Sequence, residues 1–165
     1  VSLPQSLEKE IMTMPRLKSE LVFKWMSPEP ITVTPDTCVS EAKTLLDDYH
    51  IRRLPVVDHE GHLIGIVTRG DIRAALPSEA ESLGEWELNY LVPRITVKHV
   101  MTPNPVTAYT TDTIVWAATL MLQHKISGLP VVTPADRQLV GIITESDIFD
   151  LVVQSWETEV SHHAK

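Results

Sequence analysis

Two short patterns carry the polar groups with the clearest chemical use. Thr68 stands three residues before Asp71, and Thr144 three residues before Asp147, each pair lying between apolar runs. A carboxylate offers two acceptor oxygens and suits two neighbouring sugar hydroxyls. A threonine hydroxyl can add a contact, and a helix start supplies free amides to an anion. The same pair is a common helix cap, and taken alone the residues favour the cap. Upstream, Arg52-Arg53 sets two guanidiniums beside Leu54-Pro55, an arrangement able to grip a phosphate in bidentate fashion. Solvation, or pairing with Asp47 or Asp48, is an equally good account of either arginine.

Other reactive side chains point nowhere in particular. His59 and His62 flank the Glu60-Gly61 turn and lack a third ligand, so no metal site is expected. His162-His163 reads as part of a tail. Cys38 is the single cysteine, which excludes an intramolecular disulfide and a multi-cysteine zinc site and reads as a quiet half-buried thiol. No glycine-rich phosphate loop, Gly-x-Ser-x-Gly or His-Glu-x-x-His occurs, so catalysis has no support.

The chain has 165 residues, 43% hydrophobic and 22% charged, enough for one sizeable core or two small ones. Its net charge of −8 argues against nucleic acid, whose phosphates need a basic face. Residues 1–76 hold nine Lys/Arg against eleven Asp/Glu, and residues 77–165 hold five against eleven. An anionic ligand must therefore use a local cluster. No apolar run reaches the roughly 20 residues of a membrane span, and Val1–Glu20 mixes charges throughout, so a cytoplasmic location is expected.

The elements that must position these residues come from a repeat. Shifted by 75, the chain matches itself from Val22 to Val57: Met26-Ser27-Pro28 falls on Met101-Thr102-Pro103, and Leu54-Pro55-Val56-Val57 on Leu129-Pro130-Val131-Val132. After one inserted residue near Asp136, Leu63–Thr68 matches Leu139–Thr144 and Asp71-Ile72 matches Asp147-Ile148. Each copy reads as a short strand (Ile31–Thr34 in the first) and a helix carrying Val39, Ala42, Leu45, Leu46 and Tyr49 at helical spacing. A β-hairpin and a second helix over Ile72–Leu76 follow. In the second copy Ile114, Ala117, Leu120 and Met121 lie on the first helix, and Ile148–Val153 forms the last. One β-α-β-β-α unit cannot bury both faces of its sheet, so two units packed sheet to sheet with a pseudo-two-fold are expected. The divisions are an arm or helix over residues 1–20, repeats over 21–76 and 96–153, a helical linker over 77–95 and a tail over 154–165.

The duplicated Met-(Ser/Thr)-Pro … Leu-Pro-Val-Val … Gly-Ile-(Val/Ile)-Thr-x-x-Asp-Ile pattern resembles the cystathionine-β-synthase (CBS) domain, whose tandem pair is called a Bateman module. The resemblance implies an α/β fold with two clefts, which in that family hold AMP, ADP, ATP or S-adenosylmethionine, and no required cofactor. It further implies an allosteric, regulatory role, homodimers formed by disc-like pairing of modules, and a regulated protein that the sequence does not identify. It carries phosphate contact to Arg53 first and Arg52 second, and makes Thr96 a residue that reaches the first repeat's cleft. The matching residues in the other copy, Ser127-Gly128 and Leu21, lack these groups. The cleft of Arg52, Arg53, Ile66, Thr68, Asp71 and Thr96 is thus expected to be the better nucleotide site. That of Leu21, Ser127, Ile142, Thr144 and Asp147 is expected to be weak, empty or suited to a less charged ligand. Ile31, Val33, Ile51 and Pro55, with Val106, Ala108, Ile126 and Pro130, are candidate walls for the base, though most are core whatever binds. The alternatives are a structural dimerisation module with vestigial clefts, or the regulatory fragment of a larger enzyme.

Overall fold

The structure, a computed structural model, describes residues 19–75 and 95–163, without the side chains of 157–163. The expected arm before Ser19 and most of the expected linker lie outside the described residues. In chain order the elements are α1 (Val22–Trp25), β1 (Ser27–Pro28), α2 (Val39–Asp48), β2 (Arg53–Val57), β3 (Leu63–Thr68) and α3 (Arg69–Ala75). A 3-10 turn (Val97–His99) leads to β4 (Thr102–Pro103), β5 (Ala108–Tyr109), α4 (Ile114–His124), β6 (Gly128–Val132), β7 (Leu139–Thr144) and α5 (Glu145–His163). Strands β2-β3-β4 form one sheet and β1-β7-β6-β5 another.

The chain divides into two compact units. One, here the repeat-1 unit, comprises Glu29–Pro105 with Ala135–Val140; the other, the repeat-2 unit, comprises Val1–Pro28, Val106–Pro134 and Gly141–Lys165. The boundaries do not follow the repeats: the residues that lead into each copy belong to the other copy's unit. The pairing shows why. Thr102 and Pro103 of β4 pair antiparallel with Ile66 and Gly65 of β3, and Ser27 and Pro28 of β1 with Ile142 and Gly141 of β7. Val97 is fully buried in the repeat-1 core, and Val22 is fully buried as well.

These segments also cap helices. An α-helix leaves its first N–H groups without partners. The Val39 N–H at the start of α2 donates to Ile95 O at 2.9 Å, and the Ile114 N–H at the start of α4 donates to Glu20 O at 2.9 Å. Cys38, the N-cap of α2, makes no side-chain cap bond, whereas Thr113 accepts from the Trp116 N–H at the start of α4. At the two glycines that meet the lead-in segments, a side chain would have to displace a methionine. A Cβ on Gly65 would stand 2.6 Å from Met101 Sδ, and one on Gly141 would stand 2.5 Å from Met26 Sδ.

The repeat-1 core follows the helical and strand periods. Val39, Ala42 and Leu46 of α2 pack with Leu54, Val56 and Val67 of the hairpin and with Ile72. Each fully buried aliphatic side chain of this kind contributes about 1.5–3 kcal/mol. Tyr49, expected on the buried face, is the C-cap of α2 and is exposed, because the helix ends before that turn completes. The expected strand at Ile31–Thr34 shrinks to one parallel bridge, Val33 to Val56. Thr34 has already turned: its N–H donates to Thr37 Oγ1 at 3.0 Å. The last helix runs on from Glu145 to His163, well past Val153.

Candidate functional site

The Thr-x-x-Asp pairs occupy equivalent positions where β3 passes into α3 and β7 into α5. In the first loop the Thr68 N–H and hydroxyl both donate to Asp71 Oδ2, at 2.8 and 2.7 Å, and the Asp71 N–H donates back to Thr68 Oγ1 at 3.3 Å. In the second, the Thr144 N–H and hydroxyl donate to Asp147 Oδ2 at 2.7 and 2.8 Å. The cap is therefore real in both copies. It uses one carboxylate oxygen only; among the described residues Oδ1 of Asp71 and of Asp147 accepts no bond. One oxygen carries two lone pairs, so Oδ1 alone can accept from two neighbouring hydroxyls. Capping and diol binding are compatible. The structure changes only the expectation that both oxygens face the diol.

The arginines reach this loop by two routes. Arg53 opens β2 directly opposite Thr68, and Pro55 lies opposite Ile66. Facing residues of an antiparallel pair put their side chains on the same side of the sheet, so Arg53, Thr68, Pro55 and Ile66 share one face, with Thr102 beyond Ile66. The Arg52 carbonyl accepts the Arg69 N–H at 3.0 Å, tying the residue before β2 to the start of α3. The Arg52 side chain is exposed and has no bonded partner among the described residues.

Asp47 is paired, but to neither of these arginines. Its Oδ2 accepts from Lys43 at 2.8 Å and its Oδ1 from Arg69 at 2.6 Å. Arg69 also donates to the carbonyls of Leu46 and Ile51, at 2.9 and 3.2 Å, near the C-terminal end of α2. The Lys43 hydrogen bond, reinforced by both positive charges, holds the Asp47 carboxyl below the usual range. The sequence reading missed Arg69. Its place one residue after a strand end gave no hint that it would reach back to α2.

Thr96 lies in the same unit, bridged to Cys38 beside the first turn of α2, and its hydroxyl is 3.0 Å from His99 Nδ1. None of its bonds goes to Thr68 or Asp71. In the other unit Leu21 is bridged to Thr113 in the matching way. The Ser127 carbonyl accepts the Glu145 N–H at 3.3 Å, and Gly128, in Arg53's place, is buried. Of the candidate walls, Val33, Pro55, Ala108 and Pro130 are shut into the core, leaving Ile31, Ile51, Val106 and Ile126 partly open.

The hairpin turn of repeat 1 corrects one detail. His62 does gain further candidate ligands: its Nδ1 is 3.2 Å from Asp58 Oδ2 and 3.5 Å from Glu60 Oε2. The group is already accounted for as a turn, with Asp58 Oδ1 accepting the N–H groups of Glu60 and His62 at 2.9 Å each. Those bonds hold the Asp58 carboxyl below its ordinary value.

Comparison with known proteins gives the family. The CBS domain model matches residues 19–78 and 97–154. A CBS domain-containing protein of Dictyostelium discoideum is 37% identical over 143 residues, covering 83% of this chain and 94% of that protein. The chain spans only 20% to 32% of longer curated relatives, inosine-5'-monophosphate dehydrogenases among them. Among solved structures, the CBS domain pair of protein MJ0100, in complex with 5'-methylthioadenosine and S-adenosyl-L-methionine, is 34% identical with a TM-score of 0.67, covering 81% of this chain and 96% of that one. CBSX2 in complex with AMP is 31% identical with a TM-score of 0.69, covering 82% and 97%; CBSX2 comes from Arabidopsis thaliana. With both repeats matched over most of their length, the chain belongs to the CBS-domain family.

Proposed function

We propose that the chain is a regulatory module that senses an adenosine-containing ligand, and that its principal site is the Thr68–Asp71 loop with Arg52 and Arg53. One observation carries this reading: Asp71 caps its helix with Oδ2 and keeps Oδ1 free, beside a strand that begins with an arginine facing Thr68. That combination suits a ribose joined to a phosphate. The relatives crystallised with AMP, and with 5'-methylthioadenosine and S-adenosyl-L-methionine, support the ligand class. In the second loop Ser127, Gly128 and Glu145 stand where the first has Arg52, Arg53 and Arg69, so phosphate is disfavoured there and a less charged adenosyl compound is the better fit. The module works without catalysis, as a cytoplasmic homodimer acting on another protein.

The test is a thermal-shift and calorimetric series with AMP, ADP, ATP, S-adenosylmethionine and 5'-methylthioadenosine. A ligand of the native state raises the melting temperature by mass action. Phosphorylated compounds are expected to stabilise through the first loop, an effect lost in Asp71→Asn and kept in Asp147→Asn. No shift with any of the five at millimolar levels overturns the reading. A second reading, the regulatory part of a larger enzyme, is favoured by the small share of the longer relatives that the chain spans. It predicts the same ligands but a catalytic domain encoded next to this one.

A further inference from the structure

Arg69 holds the entry to β2 from two sides. Its main-chain N–H donates to the Arg52 carbonyl at 3.0 Å, a bond that Glu145 repeats to Ser127 at 3.3 Å in the second copy. The Arg69 side chain adds what the second copy lacks. Nη2 donates to the carbonyls of Leu46 and Ile51 at 2.9 and 3.2 Å, and Nη1 is fixed by Asp47 Oδ1 at 2.6 Å. Leu46 and Ile51 bracket the turn that ends α2. There His50 has a left-handed φ of 53°, the His50 N–H donates to Asp47 O at 3.2 Å, and the Ile51 N–H donates to Leu46 O at 3.1 Å. A left-handed backbone is unfavourable for a residue with a Cβ, so such a turn persists where its surroundings hold it. The second copy closes in the same way: Lys125 has a φ of 54° and the Ile126 N–H donates to Met121 O at 3.0 Å. Its counterparts of Arg69 and Asp47 are Glu145, whose side chain has no donor at neutral pH, and Leu122.

The turn held in this way carries the phosphate-binding candidates. Arg52 and Arg53 follow Ile51 directly, and Arg53 opens β2 opposite Thr68. Arg69 itself follows Thr68, two residues before Asp71. One side chain therefore ties the strand entry with its two arginines to the loop that faces the ribose. A ligand carrying both ribose and phosphate needs those two pieces at a fixed separation, whereas a ligand without phosphate needs only the loop. The Arg69 guanidinium bonds to α2 and the turn after it, and none of its bonds goes to Thr68 or Asp71.

We propose that Arg69 is a positioning residue that makes the first cleft selective for phosphorylated adenosine compounds. It sets Arg52 and Arg53 against the Thr68–Asp71 loop without touching the ligand. The proposal rests on the ligand reading given above and deepens it.

The test compares ATP with 5'-methylthioadenosine by calorimetry on the full chain. Arg69→Met keeps the aliphatic stem and removes every donor. ATP affinity is expected to fall ~10-fold or more and that of 5'-methylthioadenosine less than ~2-fold, because only ATP needs both pieces pre-set. In the Arg52→Ser, Arg53→Gly background the same substitution should cost ATP nothing further, since a residue acting through those arginines loses its effect with them. An undiminished loss there would make Arg69 a direct phosphate ligand and overturn the proposal. Equal losses for both compounds overturn it as well, because a general loosening of the fold gives that result. Should Arg69→Met fail to fold, Arg69→Lys replaces it, keeping the charge beside Asp47 while one nitrogen takes the place of the planar fork. ATP should still weaken, and full affinity overturns the proposal. Without ligand, the His50 and Ile51 amides should exchange faster in either variant than in the wild type; unchanged exchange overturns the clamp itself. A wild type that binds no ATP is a different failure, that of the ligand reading, and the proposal falls with it whatever the exchange rates are.

Discussion

At the scale of single residues, Asp71 does two things with two oxygens. Replacing it with alanine removes both, and a cap alone is worth about 1 kcal/mol. Asp71→Asn is the cleaner test, because the amide oxygen can take over the bonds from Thr68 while the amide nitrogen no longer accepts. The expected outcome is near wild-type stability in urea melts with ligand affinity reduced ~10–100-fold by calorimetry, the range for hydrogen bonds to a charged group. Comparable losses of stability and affinity would mean the residue is only a cap. The arginines make a separate prediction. Arg52→Ser with Arg53→Gly, which copies the second repeat, should weaken ATP ~10-fold or more while leaving 5'-methylthioadenosine nearly unchanged, because only the phosphates are lost as partners. An equal loss for both compounds would remove phosphate contact as the arginines' role. The Thr and Asp positions were legible because they occur twice in register. The division of labour between the carboxylate oxygens was not, since it depends on a side-chain rotamer that sequence does not encode.

At the scale of elements, α2 and α3 are joined by charge in a way that spacing along the chain conceals. Lys43 and Asp47 form a readable i, i+4 pair, but Arg69 comes from the far side of the hairpin and is placed by the fold. Asp47 is 38% exposed, so screening keeps the contribution of the whole cluster to no more than about 1 kcal/mol. Its sign with pH is fixed. The folded carboxyl titrates below its ordinary value of 3.8, so the stabilisation is complete above that value and is lost as pH falls through the lowered one. Asp47→Asn should therefore lower stability modestly at neutral pH, and the gap to wild type should close on acidification below 3.8. Denaturant melts at both acidities check this, and a gap independent of pH would assign the effect to something other than the carboxylate. Thr34 and Tyr49 teach the complementary lesson. Both fit the period of a strand or helix, and in both cases a local turn ended the element sooner than the pattern did.

At the scale of the whole molecule, the repeat seen in sequence and the unit seen in space are not the same piece of chain. Sequence matching aligns Met26-Ser27-Pro28 with Met101-Thr102-Pro103 but cannot say which sheet either joins, because both possibilities have the same pattern. The structure gives each lead-in to the other copy's unit, with Val97 closing the repeat-1 core, the Ile95 carbonyl accepting from Val39, and β4 covering the edge of β3. A fragment of residues 19–78, the first stretch matched by the family, contains none of these. It keeps instead Val22, Ser27 and Pro28, whose partners Asp112, Ile142 and Gly141 are gone. A fragment of residues 29–105 keeps all three contacts and lacks only the Ala135–Val140 piece, with its bonds from Leu139 to Gly61 and from Gln138 to Glu60. Orphaned helix amides and an uncovered core should cost the first fragment several of the ~5–15 kcal/mol that a small domain possesses. Residues 29–105 are therefore expected to melt cooperatively by circular dichroism, below the full chain, and residues 19–78 to show no cooperative transition. If residues 19–78 melt as sharply as residues 29–105, the exchanged segments are dispensable and each repeat holds itself together.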